Sequence, residues 1–174
     1  MTVGIYYATT TGKTEDVADR LHNLIPLAEP PKDVSDVDEL SEFENLDGII
    51  CGLPTWNTGA DEERSGTSWD SILEDIGKLN LSGKKVAIFG LGDSSTYTEN
   101  YCDAMEELHN YFAKAGAEMV GYVNKSSYTF DESKSLIGDS FCGLPLDEDS
   151  ESDLTDSRLE SWATQLKAEI PSLA

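Results

Sequence analysis

The chain has 174 residues, 39% of them hydrophobic, and its 34 acidic against 12 basic residues give a net charge of −22. That length suits one full domain with a sizeable core, and no apolar run approaches the ~20 residues of a membrane span. The charge argues against nucleic acid and anionic membranes as partners and favours basic ones.

The first apolar run, Val3 to Tyr7, reads as a strand and ends in Ala8-Thr9-Thr10-Thr11-Gly12-Lys13-Thr14. A helix pattern follows at once, with Val17, Leu21 and Leu24 on one side. A strand running through a glycine bend into a helix N-terminus builds an anion cradle from free amides and threonine hydroxyls. Many neutral donors and a single cation, Lys13, suit a phosphate that is held and not transferred. The nucleotide-triphosphate loop is excluded, because its first glycine would fall at Tyr7. The dinucleotide fingerprint is excluded too, because after Gly90-Leu91-Gly92 its third glycine would be Ser95.

A weak strand near Lys32 to Val34 comes next, then strands at Gly48 to Gly52 and Lys85 to Gly90, with a short helix near Trp69 to Ile76 between them. Asn100 to Ala115 reads as a helix with Met105, Leu108 and Phe112 on its buried stripe, and Glu118 to Tyr122 as a strand. Between Val123 and Leu146 helical spacing lapses; this polar stretch reads as an insertion, about residues 123–144, with the strand resuming near Phe141. The acidic run from Asp147 to Asp153 lacks the glycine and glutamate of a calcium loop and reads as a solvated turn before a helix over about Thr155 to Glu169. His22 and His109 are expected at the surface of their helices. The three cysteines, Cys51, Cys102 and Cys142, have no metal or redox spacing and read as small apolar groups in a reducing compartment. The strand entered soon after Met1 argues against a signal or transit peptide. Alternating strands and helices predict one doubly wound α/β domain over residues 1–174.

In such sheets ligands sit beyond the carboxyl ends of the strands. Besides the threonine loop, two further loops lie there: Leu53-Pro54-Thr55-Trp56-Asn57-Thr58-Gly59-Ala60-Asp61, and Leu91-Gly92-Asp93-Ser94-Ser95-Thr96-Tyr97-Thr98-Glu99-Asn100. A tryptophan in one and a tyrosine in the other, both off any apolar helical face, suit a flat aromatic ligand. With a phosphate loop beside them they point to a mononucleotide with a large planar ring.

These three loops, in this order, resemble the flavin-mononucleotide loops of flavodoxins, and the interrupted last strand is similar to that of the long-chain subgroup in cyanobacteria and algae. The resemblance implies a five-stranded parallel sheet of order 2-1-3-4-5 with helices on both faces. It implies FMN as cofactor, with Thr9, Thr11 and Thr14 offering hydroxyls to the phosphate and Thr10, Gly12 and Lys13 offering amides, the Lys13 side chain being in solvent. It places Thr55 by the ribityl and phosphate, Trp56 on the inner and Tyr97 on the outer ring face, and backbone groups of Asn57, Thr58, Leu91, Gly92 and Asp93 at the ring's polar edge, with Pro54 and Gly59 among the cofactor-binding residues of the second loop. Asn100, Tyr101 and Asp103 belong with the third loop, and Asp149 with the ribityl. Thr58 departs from the bulkier apolar residue of many relatives. The function implied is low-potential one-electron transfer between the semiquinone and hydroquinone of bound FMN, from photosystem I to ferredoxin–NADP reductase, by a monomer that is not an enzyme. Its place would be a cyanobacterium-like cytoplasm, or the plastid stroma for an algal mature chain. The alternative is an FMN-dependent quinone or nitro reductase on the same fold.

Overall fold

Apolar runs too hydrophobic for one wet face become parallel strands covered on both sides. In the computed structural model, which describes residues 2–174, these are β1 (Val3–Tyr7), β2 (Lys32–Asp33), β3 (Gly48–Pro54), β4 (Lys85–Leu91) and β5 (Glu118–Val120). Their order is β2-β1-β3-β4-β5, and every pair is parallel. Side chains alternate between faces as the two-residue strand period requires. Ile49, Cys51 and Leu53 of β3 join Val86 and Ile88 of β4 in one core. Ile50, Ala87 and Phe89 point into the other.

Four helices cover those faces: α1 (Lys13–Leu24), α2 (Leu73–Gly77), α3 (Ala104–Lys114) and α4 (Thr155–Glu169). Val17 and Leu21 of α1 pack with Leu159, Trp162 and Leu166 of α4. Ile76 of α2 and Met105, Leu108 and Phe112 of α3 share the opposite core with Phe43 and Trp69. Trp69 and Trp162 are fully buried yet satisfied, donating Nε1–H to the carbonyls of Gly52 and Gly121 at 3.0 and 2.9 Å. Among the described residues no helix is long and apolar enough to cross a membrane.

The structure differs from the sequence reading at several points. The sheet has six strands, because the interrupted strand returns as β9 (Leu144–Leu146) beside Phe89–Leu91 of β4. Phe141 does not resume the sheet; it lies in β8 (Ser140–Phe141), the centre of a small antiparallel sheet with β6 (Val123–Asn124) and β7 (Leu136–Ile137). Phe141 is fully buried, and Tyr128 and Phe130 of the insertion pack on the core beside it. Its aromatics therefore pin the polar insertion to the core and not merely to the surface. The helix expected from Asn100 starts only at Ala104, because Cys102 takes a left-handed turn with φ 52°. The helix expected from Trp69 begins as a 3-10 turn and is α-helical only from Leu73. His109 is buried, not at the surface, and shares hydrogen bonds with Tyr122 Oη at 2.6 Å and Asn110 Oδ1 at 3.1 Å.

The three cysteines are free and buried. Burial pushes the Cys51 and Cys102 thiols well up and the Cys142 thiol up to about 12.

Entry into β9 is tight. A Cβ placed on Gly143 would lie 2.2 Å from the carbonyl oxygen of Ile88, and that oxygen belongs to the backbone of β4. We expect Gly143→Ala to destabilise the protein by about 3 kcal/mol, the upper part of the overpacking range, read as a lowered urea midpoint with unchanged m-value.

Candidate functional site

Beyond Tyr7 the chain turns through Gly12, whose φ of 89° favours glycine. The Gly12 amide donates to Thr9 Oγ1 at 2.9 Å, closing the turn. No side chain caps α1, so its first-turn amides, which lack intrahelical acceptors, face the cleft beyond the strand ends. Thr9, Thr10, Thr11, Lys13 and Thr14 line that cleft. The positive helix end favours an anion there. Lys13 is not simply in solvent: its ammonium donates to Asp149 Oδ1, and that charge pairing raises its pKa.

The second loop adds Pro54, Thr55, Trp56 and Thr58 to the lining, and the third adds Leu91, Gly92, Asp93 and Tyr97. Trp56 is 53% exposed and Tyr97 49%, in a chain whose other two tryptophans are fully buried. Two large rings left half in water beside one cleft are the arrangement of a planar-ligand site. Thr55 Oγ1 is buried and has no partner within the protein, although most buried hydroxyls do. The Thr58 hydroxyl is taken up locally, donating to the Thr55 carbonyl at 3.3 Å.

A fourth segment belongs to the site. The acidic run is not a wholly solvated turn, because Asp147 is completely buried. Its Oδ2 accepts from the amide and hydroxyl of Ser94 at 2.9 and 2.7 Å. Its Oδ1 accepts from the amides of Asp149 and Ser150 at 3.0 and 2.7 Å. Asp93 repeats the device, accepting from the amides of Ser95 and Thr96 and from Ser150 Oγ at 2.9–3.0 Å. Together they bind the third loop to the turn after β9 and bring Asp149 and Glu148 to the cleft. Glu148, which sequence reasoning passed over, is held by Arg20 at 2.7 Å and Thr155 Oγ1 at 2.8 Å. Its nearest sequence signal is its place between Asp147 and Asp149.

Other expected site residues lie around the cleft, not on its lining. Gly12, Asn57 and Gly59 shape the turns next to it. Asn100 and Asp103 sit behind the third loop, 3.5 Å apart. Burial raises the Asp103 carboxyl, outweighing the Lys134 amide and the Asn100 side chain that stabilise its charge. Tyr101 is a core residue: fully buried, with its ring stacked on Phe130 at 5.8 Å and its hydroxyl without a partner. The insertion braces this region from behind. Ser133 and Ser135 donate to the carbonyls of Tyr101 and Cys102, and the Lys134 amide donates to Asp103 at 2.8 Å.

A family model described as Flavodoxin matches residues 5–162. A flavodoxin of Synechococcus elongatus is 37% identical over 97% of both chains. One of Nostoc sp. is 38% identical over 97% of this chain and 96% of its own. Among solved structures, Fusobacterium nucleatum flavodoxin bound to flavin mononucleotide superposes with a TM-score of 0.86 at 28% identity, over 97% of this chain and 98% of that one.

The hydrogen bonds on Asp93 carry a pH signature. Burial pushes its pKa up, but the donors from Thr96, Ser150 and Ser95 outweigh burial and hold it below the ordinary 3.8. A folded-state pKa below the unfolded one contributes stability above 3.8 that is lost as pH falls through the folded value. Thermal unfolding of Asp93→Asn should therefore show a lower midpoint than the parent at pH 7, and a gap that narrows as pH falls below 3.8. A gap independent of pH contradicts a role for the charge.

Proposed function

The chain belongs to the flavodoxin family, and on that premise we propose that it binds FMN in this cleft and works as a low-potential one-electron carrier. The observation that carries the reading is the pairing of an uncapped helix N-terminus, ringed by threonines, with two half-exposed aromatic rings on the neighbouring loops. The residues fit the group. The α1 amides with the hydroxyls of Thr9, Thr11 and Thr14 would take the phosphate, and the unpartnered Thr55 Oγ1 would serve the ribityl chain. Trp56 and Tyr97 would cover the ring faces, with backbone of Asn57, Thr58, Leu91, Gly92 and Asp93 along the polar edge. Gly12 and Gly59 supply bends, while Asn100 and Asp103 support the third loop.

FMN supplies the electron-accepting ring; the chain sets what an added electron costs. The cleft offers one cation, Lys13, already paired with Asp149, against the acids Asp93, Glu148 and Asp149. A carboxylate about 10 Å from an added negative charge opposes it by roughly 1.7 kcal/mol at an effective dielectric near 20. Stacked aromatic faces disfavour the added charge as well. Both effects keep the bound group a strong donor. The net charge of −22 would speed encounter with basic docking sites. Together with the similarity to cyanobacterial flavodoxins, this supports photosystem I as donor and ferredoxin–NADP reductase as acceptor.

The reading is tested by mixing the purified chain with excess FMN and separating it by gel filtration. A yellow protein peak is expected, and a colourless one refutes the proposal. Trp56→Ala should weaken FMN binding about fivefold to 150-fold, since stacking of a planar base on one aromatic ring is worth about 1–3 kcal/mol; fluorescence titration measures it. For the partners, stopped-flow electron transfer to the reductase should slow, or shift along a bell-shaped curve, as salt screens the charges. Rates insensitive to salt count against electrostatic docking.

A further inference from the structure

The loop carrying Trp56 and Asn57 runs from residue 55 to 65 and folds back on itself. The Trp56 and Asn57 amides donate to the carbonyls of Ser65 and Arg64 at 3.2 and 3.0 Å, and Asn57 Nδ2 donates to the Glu63 carbonyl at 2.6 Å. The ring-side arm of this loop is therefore only as fixed as its return arm, Glu63-Arg64. That return arm is unusual. Glu63 is exposed yet has a φ of 54°, a left-handed conformation costly for a residue with a Cβ.

The cause lies across the gap, on α3. A left-handed residue turns successive amides to one side and makes a concave anion-binding nest. Here the nest receives a carboxylate from the chain itself: Glu107 takes the Glu63 amide on Oε2 at 2.8 Å and the Arg64 amide on Oε1 at 3.0 Å. A second bond set crosses the same gap in the opposite sense. The Arg64 guanidinium is buried; it donates to the carbonyl of Asp103, just before α3, at 3.1 Å, to Glu106 Oε1 on α3 at 3.0 Å, and back to the Asp61 carbonyl at 3.1 Å within its own loop. Two oppositely charged side chains, one from each element, so bolt the return arm to a helix that does not touch the cleft.

We propose that Glu107 and Arg64 are positioning residues for the flavin-binding cleft: Glu107 fills the amide nest at Glu63-Arg64, Arg64 anchors the same turn to α3, and together they fix the Asn57-Thr58 peptide at the ring's polar edge. The inference rests on the FMN reading above. Glu107 acts on no ligand directly; it sets how freely a peptide beside the ring can rearrange when the charge of the bound group changes. Replacing it with glutamine keeps the size but turns one of its two acceptors into a donor facing an amide, so the nest opens on one side.

The test uses FMN-loaded wild type, Glu107→Gln, Arg64→Lys and, as a destabilising control outside the bolt, Phe43→Leu in the core beneath α3. Hydrogen exchange over residues 57–64 and the first one-electron midpoint potential are measured on each. Glu107→Gln should exchange at least fivefold faster there and change the one-electron equilibrium constant at least threefold, about 28 mV at 59 mV per tenfold. Arg64→Lys should lie between it and wild type, and it tests the anchor independently if Glu107→Gln does not fold. Phe43→Leu should lower the unfolding midpoint and change neither readout. Wild-type exchange and potential in both loop variants, or an equal change in Phe43→Leu, overturns the proposal. A wild type that takes up no FMN refutes the functional reading instead; exchange over 57–64 in the chain as isolated then decides the bolt by itself.

Discussion

Parallel pairing of β1 with β3, and of β3 with β4, brings Tyr7, Gly52 and Phe89 to one level. Everything at the cleft follows from that register. Because the strands run the same way, all three following loops emerge at one edge, and no connection can return except over a face of the sheet. A slip of one residue in β1 would turn Val3, Ile5 and Tyr7 to the face that Tyr6 occupies, and Tyr6 to theirs, so that each core receives the other's side chains. The cleft is thus held in place by two hydrophobic layers that meet it only at the strand ends, where Leu91 belongs to one core and to the lining.

The acids divide into two populations. Most are solvated and confer the large negative charge. A few are buried or half-buried and work as acceptors for backbone amides: Asp147 for Ser94, Asp149 and Ser150, Asp93 for Ser95 and Thr96, Glu107 for Glu63 and Arg64. A carboxylate offers two oxygens and about four lone pairs, so one side chain can gather several loop amides. The second and third loops, and the turn after β9, are each tied down in this way. An acidic composition here is partly a means of ordering loops.

How much was legible from sequence depends on the range of the interaction. Strand cores and the stripes of α1, α3 and α4 are local periodicities, and they were readable to within a few residues. The three loops were readable because their glycines, threonines and aromatics stand next to strand ends. Asp147 was not, since nothing local separates it from its solvated neighbours; its burial comes from Ser94, 53 positions away. The burial of Tyr101 is illegible for the same reason: the insertion that covers it contributes Tyr128, Phe130 and Phe141 from far along the chain. The burial of His109 is not legible locally because Tyr122, its partly buried partner, lies beyond the end of its helix. Glu63 carries no sequence mark of its left-handed backbone, which a distant carboxylate stabilises.

The thiols have a use that goes beyond packing. Cys51 lies inside the central sheet, Cys102 at the left-handed bend before α3, and Cys142 where the insertion rejoins the fold. Only the thiolate reacts with alkylating or oxidising agents, and burial keeps all three protonated at neutral pH. Each becomes reactive only when its own neighbourhood opens. The rates at which a thiol-specific label reaches them therefore form a three-point gauge of local unfolding, one point in the sheet and two around the braced loops.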